Sequence, residues 1–132
     1  MPIDSTVETR QKLPITATLA KYFGATIYIL AVYTSDIDVV NARINNYVKQ
    51  TAEYLAEYDI NYVTDEIRSN DIADDVIAYA NRINANLISI MDEQEISLKN
   101  IFAGSNSLQI VTKSLCPVLI SHSKNIYSTI MQ

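Results

Sequence analysis

The chain has 132 residues and a net charge of −5, from ten Lys and Arg against fifteen Asp and Glu. That length suits one domain with a sizeable core and is too short for two domains. The basic residues are scattered singly along an acidic chain, so the sequence shows no basic patch. This argues against binding to nucleic acid or to an anionic membrane surface.

Cysteine content and apolar run length bound the cellular setting. The single cysteine, Cys116, cannot form an internal disulfide, which is typical of a reducing compartment. The longest apolar runs, such as Ile27 to Tyr33, are far below the length that spans a membrane. We therefore expect a soluble, cytoplasmic protein.

Short β-like runs alternate with helical patterns along the chain. This alternation is typical of a parallel sheet that is covered by helices. We predict an α/β fold, a doubly wound open five-stranded parallel sheet in the order 3-2-1-4-5 with helices on both faces. The strand candidates are Met1 to Asp4, Ile27 to Tyr33, Asn61 to Ile67, Leu87 to Met91 and Pro117 to Ser121.

Helical spacing is clear in the second and third helical segments, where apolar residues recur at steps of three and four. Each segment should pack one apolar stripe on the sheet. The second stripe begins at Val40 and the third at Ile72. Their members are Val40, Ile44, Tyr47, Val48, Thr51 and Leu55, and Ile72, Val76, Tyr79, Ala80 and Ile83.

The helix ends carry recognisable signals. Gly24 should end the first helix in a left-handed conformation. Pro14 should kink that helix, unless the regular helix starts there. Asn70 or Ser69 is expected to cap the third helix, and Ser105 the fourth.

The first strand is short. "MPID" supplies about three residues before the turn, whereas a central strand usually has about five or six. We therefore expect residues 1–132 to form a single domain excised from a longer protein, with Met1 an internal residue or an added start. Residues 123–132 are expected to form a C-terminal tail.

The stretch "IFAGSNSLQIVTKSLCPVLIS" carries the clearest candidate site. A Gly104-Ser105 step at a helix start is a natural anion site, since the first N–H groups of a helix lack internal partners. Yet the preceding loop, Met91 to Ala103, contains no glycine, and phosphate-cradling loops need glycine for close backbone approach. Ser105 and Asn106 either contact an anion here or serve only the helix end.

The loop itself is acidic. Asp92, Glu93 and Glu95 place three carboxylates where phosphates would lie, with only Lys99 nearby to offset them. Like charges about 4 Å apart repel by roughly 1 kcal/mol in water and by more near a protein surface. The loop is therefore either solvated and empty, which we favour, or bridged to a nucleotide by a divalent metal. A protein-only metal site has no histidine to support it.

Catalytic candidates are weak. The only histidine, His122, follows the last strand beside two serines, and sequence neighbours do not make a triad. Cys116 has no evident base, and no catalytic motif of nucleophile, zinc or redox type is present. We expect no enzyme activity. A phosphoacceptor receiver domain is also disfavoured, because the third predicted strand ends near Ile67 without an aspartate.

Over nearly the whole chain, "MPIDSTVE", "LAKYFGATIYILAVY" and "IFAGSNSLQIVTKSLCPVLIS" resemble the universal stress proteins. The resemblance also fits a tandem subgroup, with this chain as the second of two domains. It implies an adenine-nucleotide site in part of the family and a nucleotide-free domain in the rest. It further implies pairing through the last strand, Pro117 to Ser121, as a homodimer or with a second such domain.

The resemblance assigns site positions, and this chain keeps the family's residue at only some of them. The family's phosphate loop places Met91 and Gln94 where nucleotide-binding members have glycine, and it keeps Gly104 and Ser105. Two of three glycines are thus replaced. The resemblance therefore implies a regulatory module with lost or weakened ATP binding, or alternatively a domain that binds ATP or AMP with Mg²⁺ and hydrolyses slowly at most. The nucleotide-site candidates are Pro2, Asp4, Val32, Met91, Gln94, Gly104, Ser105 and Asn106.

Asp4 has two open interpretations. It closes a strand at the carboxyl edge, where open α/β sheets bind ligands, so it can accept a hydrogen bond from a ribose or adenine group. It can equally cap the helical turn that begins near Ser5 or Thr6.

Overall fold

The computed structural model describes residues 1–92 and 105–123, and the structural statements below concern these ranges. Apart from residue 123, the predicted tail lies outside them. The elements follow the predicted alternation, with strand ends within two residues of those expected. They are β1 (Pro2–Ile3), a 3₁₀ helix (Val7–Lys12), α1 (Leu13–Phe23), β2 (Ile27–Tyr33), α2 (Asp38–Glu57), β3 (Tyr62–Arg68), α3 (Ile72–Arg82), β4 (Ile88–Met91), α4 (Asn106–Lys113) and β5 (Val118–Ser121).

All strand pairs of the described residues are parallel. They form a three-stranded sheet in the order β1-β2-β3 and a two-stranded sheet, β4-β5. These sheets match the two halves of the predicted order 3-2-1-4-5, but the pair that would join them, β1 with β4, is not among the pairs found in the described ranges. The two residues of β1 offer few backbone groups to a second neighbour.

A cavity of about 740 Å³ lies beside this break. Ile27 and Tyr28 of β2 line one part of it, and Ile88 and Ser89 of β4 line another. One side-chain hydrogen bond crosses from α1 to β4, between the hydroxyl oxygens of Thr16 and Ser89 at 2.6 Å. The two sheets are thus connected by buried side chains as well as by the chain itself.

Helices cover both faces of the sheets, as predicted. Ile27 and Ile29 of β2 belong to a core cluster with residues of α1 and α2. Leu30 and Val32, which point the other way from β2, belong to a second cluster with residues of α3, α4 and β4. Because successive strand residues face opposite sides, the continuous apolar run of β2 supplies both cores.

The ends of α1 match the sequence signals. Gly24 has a φ of 61° and closes the helix in the left-handed region, with its N–H donating to Ala20 and Lys21 carbonyls. Pro14 lies in the first turn of α1, directly after the 3₁₀ helix, so it starts the regular helix and does not kink it. The missing proline N–H costs nothing at that position.

The predicted cap of α3 is wrong. Asp71, rather than Asn70 or Ser69, accepts the hydrogen bond from the Asp74 N–H at 3.2 Å. The reason is that α3 begins at Ile72, so Asp71 holds the extended backbone of a capping residue. Ser69 instead accepts from the Asp71 N–H and donates to the Asp75 carboxylate, which fixes the turn ahead of the helix.

Candidate functional site

A cleft of about 450 Å³ opens where β1 and β4 end, beside the start of α4. This is the edge at which open α/β sheets bind ligands, and the volume is in the usual range for small-molecule sites. Four of the eight residues predicted for the site line it. They are Pro2, Asp4, Met91 and Asn106.

The rest of the lining combines polar and apolar side chains. The polar side chains are Thr6, Glu8, Lys12, Asp92, Ser107 and Ser123, and the apolar ones are Ile72, Val76, Ile90 and Ile110. Three carboxylates, those of Asp4, Glu8 and Asp92, therefore face this cleft together with one ammonium, that of Lys12. Such an arrangement disfavours a polyanion but leaves one local positive charge.

Asp4 is half-buried and holds the turn after β1. Its Oδ1 accepts hydrogen bonds from the Thr6 N–H at 2.8 Å and from the Thr6 hydroxyl at 2.6 Å. The Asp4 N–H donates to the Thr9 hydroxyl at 3.1 Å. These bonds fix the turn ahead of the 3₁₀ helix but do not cap it, because its capping residue is Thr6, which makes no side-chain capping bond. The same side chain lines the cleft, so its role in the turn is compatible with contact to a ligand.

Lys12 is the most unusual residue of the cleft, with 2% of its surface exposed. Its Nζ donates to the Thr9 carbonyl at 2.6 Å and to the Thr9 hydroxyl at 3.1 Å. Burial lowers the pKa of the Lys12 ammonium to about 8, and the negative charge of Asp4 opposes part of that shift. The sequence interpretation missed this residue. A signal was available, because Lys12, Thr16 and Ala20 recur at steps of four on a face that is buried.

The start of α4 is built as predicted for Ser105. Its hydroxyl accepts from the Leu108 N–H at 3.1 Å, and it lies 3.0 Å from the Ser107 hydroxyl. Asn106 and Ser107 line the cleft, whereas Ser105 is not among the lining residues. The helix end therefore faces the cleft through the residues after its cap.

The remaining candidates lie elsewhere. Val32 is 2% exposed within the core cluster of α3 and α4, and it does not line the cleft. Gln94 and Gly104 lie outside the described residues, as do Glu93, Glu95 and Lys99 of the acidic loop. Of the two replaced glycine positions, Met91 lies in the cleft lining and Gln94 is known from the sequence alone.

His122 pairs with Asp92 at the rim of the cleft. The distance between His122 Nδ1 and an Asp92 carboxylate oxygen is 2.9 Å, and the histidine side chain is 75% exposed. The pair is too exposed to hold a strong charge interaction. It does place an imidazole beside the strand end where Asp92 lies.

Within residues 1–92 and 105–123, no three His, Cys, Asp or Glu side chains are grouped so that they could hold a metal ion. None of the helices in that part of the chain is both long and apolar enough to cross a bilayer.

Comparison with known proteins was made at the levels of sequence and structure. The sequence profile of the universal stress protein family matches residues 1–122. No curated protein matches the chain. A universal stress protein solved in complex with cAMP superimposes with a TM-score of 0.72 at 14% identity, covering 94% of each chain.

Two further solved structures carry adenine nucleotides. A universal stress protein from Arabidopsis thaliana with AMP bound has a TM-score of 0.74 at 11% identity, covering 97% of this chain and 92% of its own. One from Archaeoglobus fulgidus in complex with dAMP has a TM-score of 0.68 at 17% identity, covering 90% and 92%. Identities this low show a shared fold, and the profile match over residues 1–122 shows more: this chain belongs to the universal stress protein family.

Proposed function

We propose that this chain is a non-enzymatic regulatory module that acts by pairing with another domain of its kind, and that its ATP binding is lost or weakened. The observation that carries the second part is the charge of the cleft. Asp4, Glu8 and Asp92 line it against the single ammonium of Lys12. A triphosphate would bring up to four negative charges to this lining, so its repulsion exceeds the attraction of one lysine. The two replaced glycines act in the same direction.

A second candidate function is the binding of an adenine nucleotide with few phosphates. Residues of the nucleoside side, Pro2 and Asp4, lie in one cleft with Asn106 of α4. The related structures described above hold cAMP, dAMP and AMP. We infer that the cleft accepts such a ligand. We further infer that the two sheets are halves of one sheet in the order 3-2-1-4-5, and that the cleft lies where they meet.

Neutralising Glu8 should raise the affinity for ATP. Glu8 is an exposed residue of the cleft lining, so Glu8→Gln removes one repulsion without disturbing the core. We expect the affinity for ATP to rise about twofold to fivefold, in line with a charge interaction near the surface, and that for adenosine to stay constant. Titration of fluorescent ATP, with and without Mg²⁺, measures this.

Glu53→Gln is the matched control, since Glu53 is exposed on α2 and is not among the cleft residues. Tight saturable binding of ATP by the unaltered chain, without Mg²⁺, would contradict the proposed loss. Equal effects of the two substitutions would show that the charge of Glu8 in the cleft is irrelevant.

The proposed pairing surface is the outer edge of β5. Pro117 and Ser121 carbonyls accept from the Ile88 and Asp92 N–H groups of β4, at 3.0 Å and 2.8 Å. Backbone groups alternate sides along a parallel strand, so those of Val118 and Ile120 face away from β4. Within the described ranges β5 has no strand on that side. An open apolar strand edge is a ready template for a second strand.

Exposed apolar side chains extend this surface onto α4 and the following turn. Leu108, Val111 and Leu115 expose 57%, 43% and 84% of their surfaces. They recur at steps of three and four, which places the two helical members on one side of α4. Exposed apolar side chains on a helix face are the kind of surface that protein partners cover.

Leu115→Asp should therefore weaken self-association. A charge at the centre of an apolar contact must be desolvated, so we expect the dimer dissociation constant to rise at least about tenfold. Size-exclusion chromatography with light scattering over a concentration series measures the change. Val39→Asp, at a 69% exposed position of α2, is the control and should leave the dissociation constant unchanged. A chain that stays monomeric at every concentration would sink the pairing proposal.

A further inference from the structure

The ammonium of Lys12 is buried without a full set of partners. An ammonium has three N–H donors, and within the described residues two acceptors serve it, the carbonyl and hydroxyl oxygens of Thr9. Both acceptors are neutral. No carboxylate of the described ranges lies within ion-pair distance of Nζ.

Such an arrangement is costly in the absence of an anion. Moving an ammonium out of water carries a desolvation penalty that neutral hydrogen bonds only partly offset. Asp4 is the carboxylate that acts on Lys12 through space, but its Oδ1 is already bound by the Thr6 N–H and hydroxyl. Within the described residues the Lys12 ammonium therefore has no carboxylate in direct contact, although the charge of Asp4 reaches it through space.

Lys12 lies where its charge can contact a bound anion. It lines the cleft together with Asn106 and Ser107 at the start of α4, where backbone N–H groups also favour an anion. We propose that Lys12 binds the phosphate group of the cleft's ligand and limits that ligand to a single phosphate. The proposal rests on the proposed adenine-nucleotide binding. In it, the charge of the Lys12 side chain supplies the phosphate contact that the backbone at the replaced glycines no longer supplies.

The limit to one phosphate follows from the surrounding charges. One phosphate beside Lys12 gains a charge-assisted contact in a water-poor position, where such contacts are strongest. Further phosphates would add negative charge to a lining that already holds Glu8 and Asp92, which repel them. The shared chemistry is a tetrahedral phosphate, which a nucleoside monophosphate and free inorganic phosphate both carry.

The test compares three ligands by isothermal titration calorimetry on the complete 132-residue chain. The ligands are AMP, adenosine and inorganic phosphate. The variants are Lys12→Met, which keeps the apolar stem in place, and Lys21→Met as the control, since Lys21 is an exposed residue outside the cleft. Far-ultraviolet circular dichroism confirms that each variant is folded, and Lys12→Gln replaces Lys12→Met should the latter not fold.

The unaltered chain and Lys21→Met should bind AMP about tenfold to a hundredfold more tightly than adenosine, and Lys12→Met should erase that difference while binding adenosine normally. Binding of inorganic phosphate that Lys12→Met abolishes, with AMP no tighter, would support the lysine contact and identify free phosphate as the ligand. Equal binding of AMP and adenosine, or an AMP preference that survives Lys12→Met, would overturn the proposal and leave nucleoside binding intact. Binding of none of the three would overturn both.

Discussion

Replacing Lys12 by methionine is expected to stabilise the fold by about 1 kcal/mol at pH 7. The pKa of the Lys12 ammonium is lowered from 10.5 to about 8 by burial, which corresponds to roughly 3 kcal/mol of cost to the charged folded state. Methionine occupies a similar volume without charge. The loss of two hydrogen bonds to Thr9, at about 1 kcal/mol each, offsets about 2 kcal/mol of the gain.

The stabilisation should depend on pH in a defined direction. Below pH 8 the lysine is protonated in both states, so the full cost is present and the variant has its largest advantage. From about 8 to 10.5 the folded chain releases the proton while the unfolded chain keeps it, so the unaltered protein gains stability as the pH rises. The advantage of Lys12→Met should therefore shrink over this window.

Urea denaturation at pH 7 and at pH 9.5 measures the difference between the two proteins, in which the titration of groups that do not interact with Lys12 cancels. The Met1 amino group does interact with Lys12, but its folded pKa of about 5 and its ordinary value of 8.0 both lie below pH 9.5. Lys21→Met is again the control, because Lys21 is exposed and donates to the Tyr58 carbonyl at the surface. A variant destabilised at pH 7, or an advantage that grows above pH 8, would show that the folded structure holds the charge of Lys12 without cost.

Leu55→Ala is expected to lower the free energy of unfolding by about 3 kcal/mol, within the range for fully buried leucines. The Leu55 side chain is 0% exposed and lies in the core cluster that α1 and α2 form against β2. Alanine removes its packing contacts and leaves a cavity, while it raises helix propensity slightly. Thermal unfolding should show a melting temperature lower by several degrees.

Val39→Ala in the same helix is the matched control, because 69% of the Val39 surface is exposed. Its free energy of unfolding should change by less than about 0.5 kcal/mol. Similar losses for the two substitutions would mean that α2 is not anchored to the sheet by the stripe that its sequence predicts.

The fold was largely predictable because its signals are local. The strand of Ile27–Tyr33 is an unbroken apolar run with residues for both cores, and its predicted and observed ends agree. The stripe that contains Ile44 and Leu55 supplies the buried residues of α2. The five-stranded order is confirmed only in its two halves, since strand pairing is a long-range property that a two-residue β1 specifies poorly.

The candidate site was less predictable for a physical reason. Asp4 and Asn106 were named from strand and helix ends, which are local features, and Met91 from the family resemblance; the fold brings all three to one cleft. Lys12 was missed because lysine is almost always solvated, and that expectation outweighs its regular spacing with Thr16 and Ala20. Gln94 and Gly104 remain predictions.

The hydroxyl of Ser105 has a consequence for how this family is interpreted from sequence. Because that hydroxyl binds the Leu108 N–H, α4 needs it whether or not a ligand occupies the neighbouring cleft. Selection for folding alone would then retain a serine here long after selection for nucleotide binding had relaxed. Survival of this part of the signature is therefore evidence of common descent. A test for function must look instead at residues whose replacement would stabilise the fold.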